Sequence, residues 1–193
     1  MMKGNVKYSN VEEFALEIIK KFYNPGSSLY KLLVTHSKLV TEKALRVSEK
    51  VRHLNPDLEF IRVSAMLHDI GIFLTYEPEL GCFGEKKYVC HGYLGRELLE
   101  KEGLFKHALV CERHVGVGIS LDDIIKKNLP LPRRDMIPVS IEEKIICYAD
   151  KFYSKKIGSM HKEKSIDTIR KEIERFGQDK LKRFDEWVEM FGD

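Results

Sequence analysis

The sequence lacks the features that would tie a chain to a membrane, a disulfide framework or a polyanion. Its most apolar stretches are short and broken by charges within a few residues, and Met1 to Asn10 carries no apolar signal-peptide region. The protein is therefore expected to stay in the cytoplasm with no membrane partner. Cysteine is sparse: Cys82, Cys90, Cys111 and Cys147 are scattered without a CxxC pair, which fits reduced, buried thiols rather than disulfides or a structural zinc site. Neither sign of charge dominates. The 33 basic and 30 acidic side chains leave a formal charge of +3 and are interspersed, so composition gives no argument for nucleic-acid binding. Internal repeats, low-complexity linkers and sustained period-two alternation of β-branched residues are also missing, and the fold class is read as all-α.

What is present is an ordinary globular composition, 43% apolar and 33% charged over 193 residues, enough for one hydrophobic core and one domain spanning residues 1–193. Helix start signals recur. Asn10 with Glu13 reads as a capping box opening a helix to about Phe22, ended by Asn24-Pro25-Gly26. Ser27 or Ser28 starts a long helix to about Arg52, with Leu29, Leu32, Leu33, His36, Leu39, Val40 and Val47 on one stripe. Asn55-Pro56 opens a third, running to His68-Asp69 before Gly71. Residues 72–88, with Pro78, Gly81 and Gly84, read as a loop able to cover a site. Helices follow at about 90–102 and 105–114, then a short one capped by Ser120 and Asp123, and one opened by Ser140 and Glu143 that runs past Asp150. Ser165 opens the last helical region, broken at Gly177 and read as a hairpin against the core.

Six polar residues stand out because of where this pattern puts them. His36 shares its stripe with Leu32, Leu33, Leu39 and Val40, so its imidazole points along the buried face. Asp150 follows Ile146 and Cys147 in the same way, and a buried unpaired carboxylate is costly. His68 and Asp69 close a helix above small Ser64 and Ala65, His91 begins the next helix, and His114 ends the one after. Taken singly, each has a structural explanation: a histidine on an apolar stripe is commonly a hydrogen-bonded core residue, and Asp150 can pair with Lys151. His53 and His161 lie among polar neighbours, and no chemistry is assigned to them or to His107.

The set as a whole, through "THSKLV", "AMLHDIGIF", "HGYLGRELL", "ERHVGVG" and "YADKFYSK", resembles the HD superfamily of metal-dependent phosphohydrolases over roughly residues 30–156. The two extra histidines make it similar to the dinuclear subclass, and to small stand-alone HDIG proteins in particular. The resemblance implies an HD core over about 28–158 with a C-terminal helical extension over about 160–193. It implies that His36, His68, Asp69 and Asp150 hold one metal, that His91 and His114 hold the second, and that Asp69 bridges them. Imidazoles and carboxylates suit two divalent transition-metal ions, Fe or Mn first, with Zn, Co or Ni as alternatives. A water activated between two such ions would attack phosphorus in line.

The expected partner is a small phosphorylated substrate, which includes nucleotides; nucleic acid is not expected, and a homo-oligomer is compatible with the sequence. Ile72 and Phe73 follow the HDIG motif where cyclic-dinucleotide phosphodiesterases carry a lysine, which argues against that substrate. Arg113, beside His114, and Lys151, beside Asp150, are candidate phosphate-binding residues next to the catalytic Asp69; Arg133 and Arg134 are read as solvated. Two alternatives remain: a di-iron oxygenase on the same ligand order, and a regulatory metal-binding module without turnover.

Overall fold

The computed structural model describes residues 11–156 and 158–192, so the capping residue Asn10 lies outside them. Nine α-helices order the described chain: α1 (Val11–Lys20), α2 (Ser28–Lys50), α3 (Leu58–Leu67), α4 (His91–Lys101), α5 (Phe105–Arg113), α6 (Leu121–Lys126), α7 (Ile141–Asp150), α8 (Ile166–Glu174) and α9 (Gln178–Phe191). Side-chain caps set most of the starts. Ser27 accepts a hydrogen bond from the Tyr30 amide, Ser120 and Asp123 form a reciprocal capping box, and Ser140 and Ser165 accept from the third residue beyond them.

Two expectations shift at this level. Asp57, not Asn55 or Pro56, caps α3: its carboxylate accepts from the Phe60 amide at 2.9 Å, while Asn55 takes a left-handed conformation (φ 50°) that closes the preceding turn. Of the successive start signals, the one whose side chain reaches the third amide prevails. Residues 72–88 are not merely loop. They hold a three-stranded sheet, β1 (Thr75–Glu77), β2 (Cys82–Phe83) and β3 (Lys86–Lys87), with β1 in the centre, antiparallel to β2 and parallel to β3. Strands of two or three residues are too short to leave an alternation in the sequence.

The core lies in two main clusters on either side of α2 and α3. One joins α2 and α3 to α7 and the C-terminal hairpin through Val40, Val47, Ile61, Ile146 and Tyr148. Phe184, Trp187 and Phe191 of α9 close it, with the Phe184 and Phe191 rings 5.5 and 5.0 Å from that of Tyr148. The expected hairpin of α8 and α9 is thus built into the core. The other cluster joins α1, α2 and α3 to α4 and α5 through Ile19, Leu33, Leu67, Leu99 and Cys111. All four cysteines are free and buried. Among the described residues no helix is long and apolar enough to cross a membrane.

Two glycines set the spacing around the polar centre. Gly71 has ordinary helical backbone angles (φ −85°, ψ −2°), so it is not needed for a turn; a Cβ there would stand 2.3 Å from the His91 carbonyl oxygen and 2.5 Å from the Gly95 amide nitrogen. At Gly92 a Cβ would come within 2.7 Å of Val115 and 2.9 Å of the Cys111 carbonyl oxygen. The turn after α3, the start of α4 and the end of α5 therefore close on one another at backbone distance, which brings Asp69, His91 and His114 together.

Candidate metal centre

The six residues singled out by pattern converge on one buried point. His36 comes from the middle of α2, His68 and Asp69 from the turn that ends α3, His91 from the first residue of α4, His114 from just beyond α5 and Asp150 from the last residue of α7. None is more than 7% exposed. His36 Nε2 lies 3.0 Å from Asp150 Oδ1 and 3.4 Å from Asp69 Oδ2, and His68 Nε2 lies 3.2 Å from Asp69 Oδ2 and 3.4 Å from Asp150 Oδ1. On the other side of the same carboxylate, Asp69 Oδ1 is 3.4 Å from His91 Nε2 and 3.3 Å from His114 Nε2. Two donor groups result, His36, His68, Asp69 and Asp150, and Asp69, His91 and His114, in each of which the ligand atoms lie within 4.8 Å of one another. Asp69 belongs to both, one oxygen to each.

Three of the imidazoles have their tautomer set by the backbone. Nδ1 of His68 lies 2.7 Å from the Ala65 carbonyl oxygen, Nδ1 of His91 2.6 Å from that of Tyr88, and Nδ1 of His114 2.7 Å from that of Cys111. Only an N–H can bond a carbonyl, so each ring donates through Nδ1 and turns Nε2 toward the carboxylates. Two thiols steady the same turns: Cys111 Sγ donates to the His68 carbonyl at 2.9 Å and Cys147 Sγ to the His114 carbonyl at 3.3 Å.

The electrostatics suit a cation. Burial pushes His91 down to about 3 and His36 to about 4, and lowers His114 as well, so these rings are neutral at pH 7. At His68 burial is outweighed by Asp69 and Asp150, which raise it to about 9. Burial alone would raise the two carboxyls, but Lys155 and His68 hold Asp69 well below the usual range, and Lys151 and Lys155 do the same for Asp150. Although fully buried, both oxygens of Asp69 and Nε2 of His68 lack a well-formed hydrogen bond. Neutral imidazoles of His36, His91 and His114 converging with two ionised carboxylates fit borderline divalent transition metals, and an ion bound there would take the place of the proton that the carboxylates hold on His68.

The basic candidates separate. Lys151 lines the cavity above the centre, with Nζ 2.7 Å from Asp150 Oδ2 and 3.5 Å from the His114 carbonyl oxygen. Arg113 does not. Its guanidinium grips Glu143 at 2.8 and 3.0 Å, and Glu143 also accepts from the Val139 amide at 2.6 Å, so Arg113 ties the end of α5 to the start of α7. One residue before the ligand on a helix faces about 100° away from it, and here that direction meets an acidic side chain. Arg134 is not simply solvated either: with Arg96 it pairs the buried Glu112. His53 and His161 are exposed, and His107 packs its ring against Phe60 at 4.9 Å.

Sequence reasoning overlooked Lys155. Its ammonium lies 2.8 Å from Asp69 Oδ2 and 3.8 Å from Asp150 Oδ1, and so stands between the two carboxylates. It falls past the end of α7, where helical spacing no longer places a side chain; the only signal was its position as the last residue of "YADKFYSK".

Comparison with known proteins agrees with this geometry. The HD domain family matches residues 33–154. An uncharacterized protein of Methanocaldococcus jannaschii is 33% identical over 168 residues, 84% of each chain. The tRNA (cytidine(56)-2'-O)-methyltransferases of Thermoplasma volcanium and Picrophilus torridus are each 29% identical over 150 residues, which cover 77% of this chain but only 38% of theirs. No solved structure matches. With the family pattern spanning most of the chain and a relative aligned over nearly its whole length, the protein belongs to the HD-domain family, whose members are generally metal-dependent phosphohydrolases.

Proposed function

We propose that the protein is a two-metal hydrolase of a small phosphate ester, nucleotides included, built as one HD domain whose C-terminal hairpin is part of the same unit. The observation that carries this reading is the shared carboxylate: Asp69 turns one oxygen to His36 and His68 and the other to His91 and His114. His36, His68, Asp69 and Asp150 would hold one divalent ion and Asp69, His91 and His114 a second, Fe or Mn before Zn, Co or Ni, and such a pair lowers the pKa of a water and polarises a phosphoryl oxygen.

The chain's own residues supply the remainder. The carbonyls of Ala65, Tyr88 and Cys111 fix which nitrogen of each ring faces the centre. The ammonium groups of Lys151 and Lys155, both at the cavity floor, can bind the non-bridging oxygens of a phosphate and offset charge that builds there. Arg113 acts only through structure. Methyl transfer is not carried over to this chain, because the similarity covers 38% of the methyltransferases' length.

The test is run twice, once without oxygen and once in air. Protein reconstituted with Mn or Fe, freed of excess ion and offered a panel of nucleotides and phosphomonoesters, should release phosphate without oxygen uptake, and chelation should stop it. Oxygen consumption with no phosphate release would replace this reading with an oxygenase; full metal loading without turnover of any ester would leave a binding module.

A further inference from the structure

From the metal centre a cavity of about 550 Å³ runs out between the loop before α4, the segment after α5, α6 and the C-terminal hairpin. Its floor carries His91, His114, Asp150, Lys151 and Lys155. Its walls are of another character: Val117, Ile119 and Leu129 on one side, Ile173 and Phe176 on the other. The charged residues among the walls are already used by the protein. Lys180 pairs with Asp123 and Asp179, Lys127 donates to the Phe176 carbonyl at 3.0 Å, and Glu172 accepts from Lys164 at 2.6 Å. Even the Val117 carbonyl accepts from Arg183, at 2.9 Å. Phe176, in the α8–α9 turn, is 64% exposed at the edge of this cavity and belongs to none of the core clusters.

We infer that this cavity selects a phosphomonoester whose organic group is apolar, an alkyl or aryl group lying against Val117, Ile119, Ile173 and Phe176, in preference to a sugar or polyol phosphate. The inference rests on reading the floor as the phosphate site. It adds what the floor cannot give, because phosphate chemistry is the same whatever the ester carries. A hydroxyl held against the side chains of Val117, Ile119, Ile173 and Phe176 would leave water without meeting a partner there, at a cost of roughly tenfold in affinity for each. A methylene moved into them gains about fourfold at full burial. The hairpin that supplies Ile173 and Phe176 lies beyond the matched family segment, whereas Val117, Ile119 and Leu129 lie within it.

The experiment uses the full chain, reconstituted with Mn, and reads two slopes. One is kcat/KM for n-alkyl phosphates from methyl to hexyl, with glycerol 3-phosphate and ribose 5-phosphate as polar counterparts. The other is the calorimetric Kd of the matching n-alkylphosphonates, which needs no turnover. Both should improve by about two- to fourfold per methylene, and the sugar and polyol esters should rank below the alkyl esters of similar size. Phe176→Ser, at an exposed position, should flatten both slopes, and the conservative Ile173→Thr should flatten them less. Rising phosphonate affinity with no hydrolysis of any ester would uphold the apolar wall and sink the hydrolase reading. Flat slopes, a preference for the polar esters, slopes unchanged in Phe176→Ser, or no binding and no turnover at all would overturn the inference.

Discussion

His91 and His114 face each other through Nε2 atoms 3.1 Å apart, while both Nδ1–H groups are already donated to backbone carbonyls. Burial keeps both rings neutral, so two lone pairs point at one another beside Asp69 Oδ1. Such an arrangement repels unless a cation lies within reach of all three atoms. Reconstituted wild-type protein should therefore bind close to two Mn or Fe ions per chain by elemental analysis. His91→Ala should retain about one, and Asp69→Ala, which removes the shared ligand, close to none. A single ion in the wild type, or full loading of Asp69→Ala, would refute the dinuclear centre.

Lys151 and Lys155 make the next prediction. Replacing either with methionine keeps length and apolar stem but removes the charge. Metal content should stay at the wild-type level, while kcat/KM for a phosphate ester falls by roughly a hundredfold, the usual cost of losing one charge that stabilises a phosphoryl transition state. Unchanged kinetics in both variants would leave the phosphate to the metals alone.

Arg113 predicts the opposite pattern. Arg113→Ala leaves Glu143, 7% exposed, without its cationic partner, and should lower stability by about 1–3 kcal/mol with near-normal catalysis per folded molecule. Arg113→Lys should recover much of that loss, because a single nitrogen, Nη1, makes both contacts with Glu143 and an ammonium can stand in for it. A large catalytic defect at unchanged melting temperature would return Arg113 to the phosphate site.

The contact between α4 and α5 is tested at Gly92. Gly92→Ala places a methyl 2.9 Å from the Cys111 carbonyl oxygen, and backbone must move to accept it. We expect a loss of about 1–3 kcal/mol and a selective weakening of the ion held by His91 and His114. Equal weakening of both ions would mean that the two halves of the centre move as one body.

Acid stability should depend on Asp123. Burial would raise this carboxyl, but Lys180 and the capping contacts with Ser120 hold it well below its ordinary value of 3.8. A depressed folded-state value stabilises above the unfolded pKa and is lost as pH falls below it. Wild-type melting temperature should thus decline below about pH 4 more steeply than that of Asp123→Asn, which should already be lower at pH 7. Parallel profiles would show that the pair does not couple α6 to α9.

Much of the centre was legible because its residues obey helical spacing or sit at helix ends marked by caps and glycines. His36 on the stripe of α2 and Asp150 on that of α7 could be placed from their apolar neighbours alone. Legibility failed where position depends on something other than local period. Lys155 reaches Asp69 from a non-helical segment, and the strands of 75–87 are shorter than any period. The contact of Arg113 with Glu143 could not be foreseen because the two lie 30 residues apart, and no local pattern reveals which neighbour a helix-end arginine will find. The chain does turn at Gly71, but that the residue also provides room for a neighbouring helix is a long-range contact no local pattern carries.

Three of the histidines bond the carbonyl three residues before them, and two of those carbonyls, Ala65 and Cys111, belong to the last turns of α3 and α5. Last-turn carbonyls are the ones a helix leaves without a partner of its own. Stopping the helix at the ligand is therefore a chemical choice as well as a geometric one, since the unspent carbonyl selects the protonated nitrogen. Moved one turn back into either helix, the same histidine would find that oxygen taken by the next amide, and its ring would lose the bond that decides which face it offers to a cation.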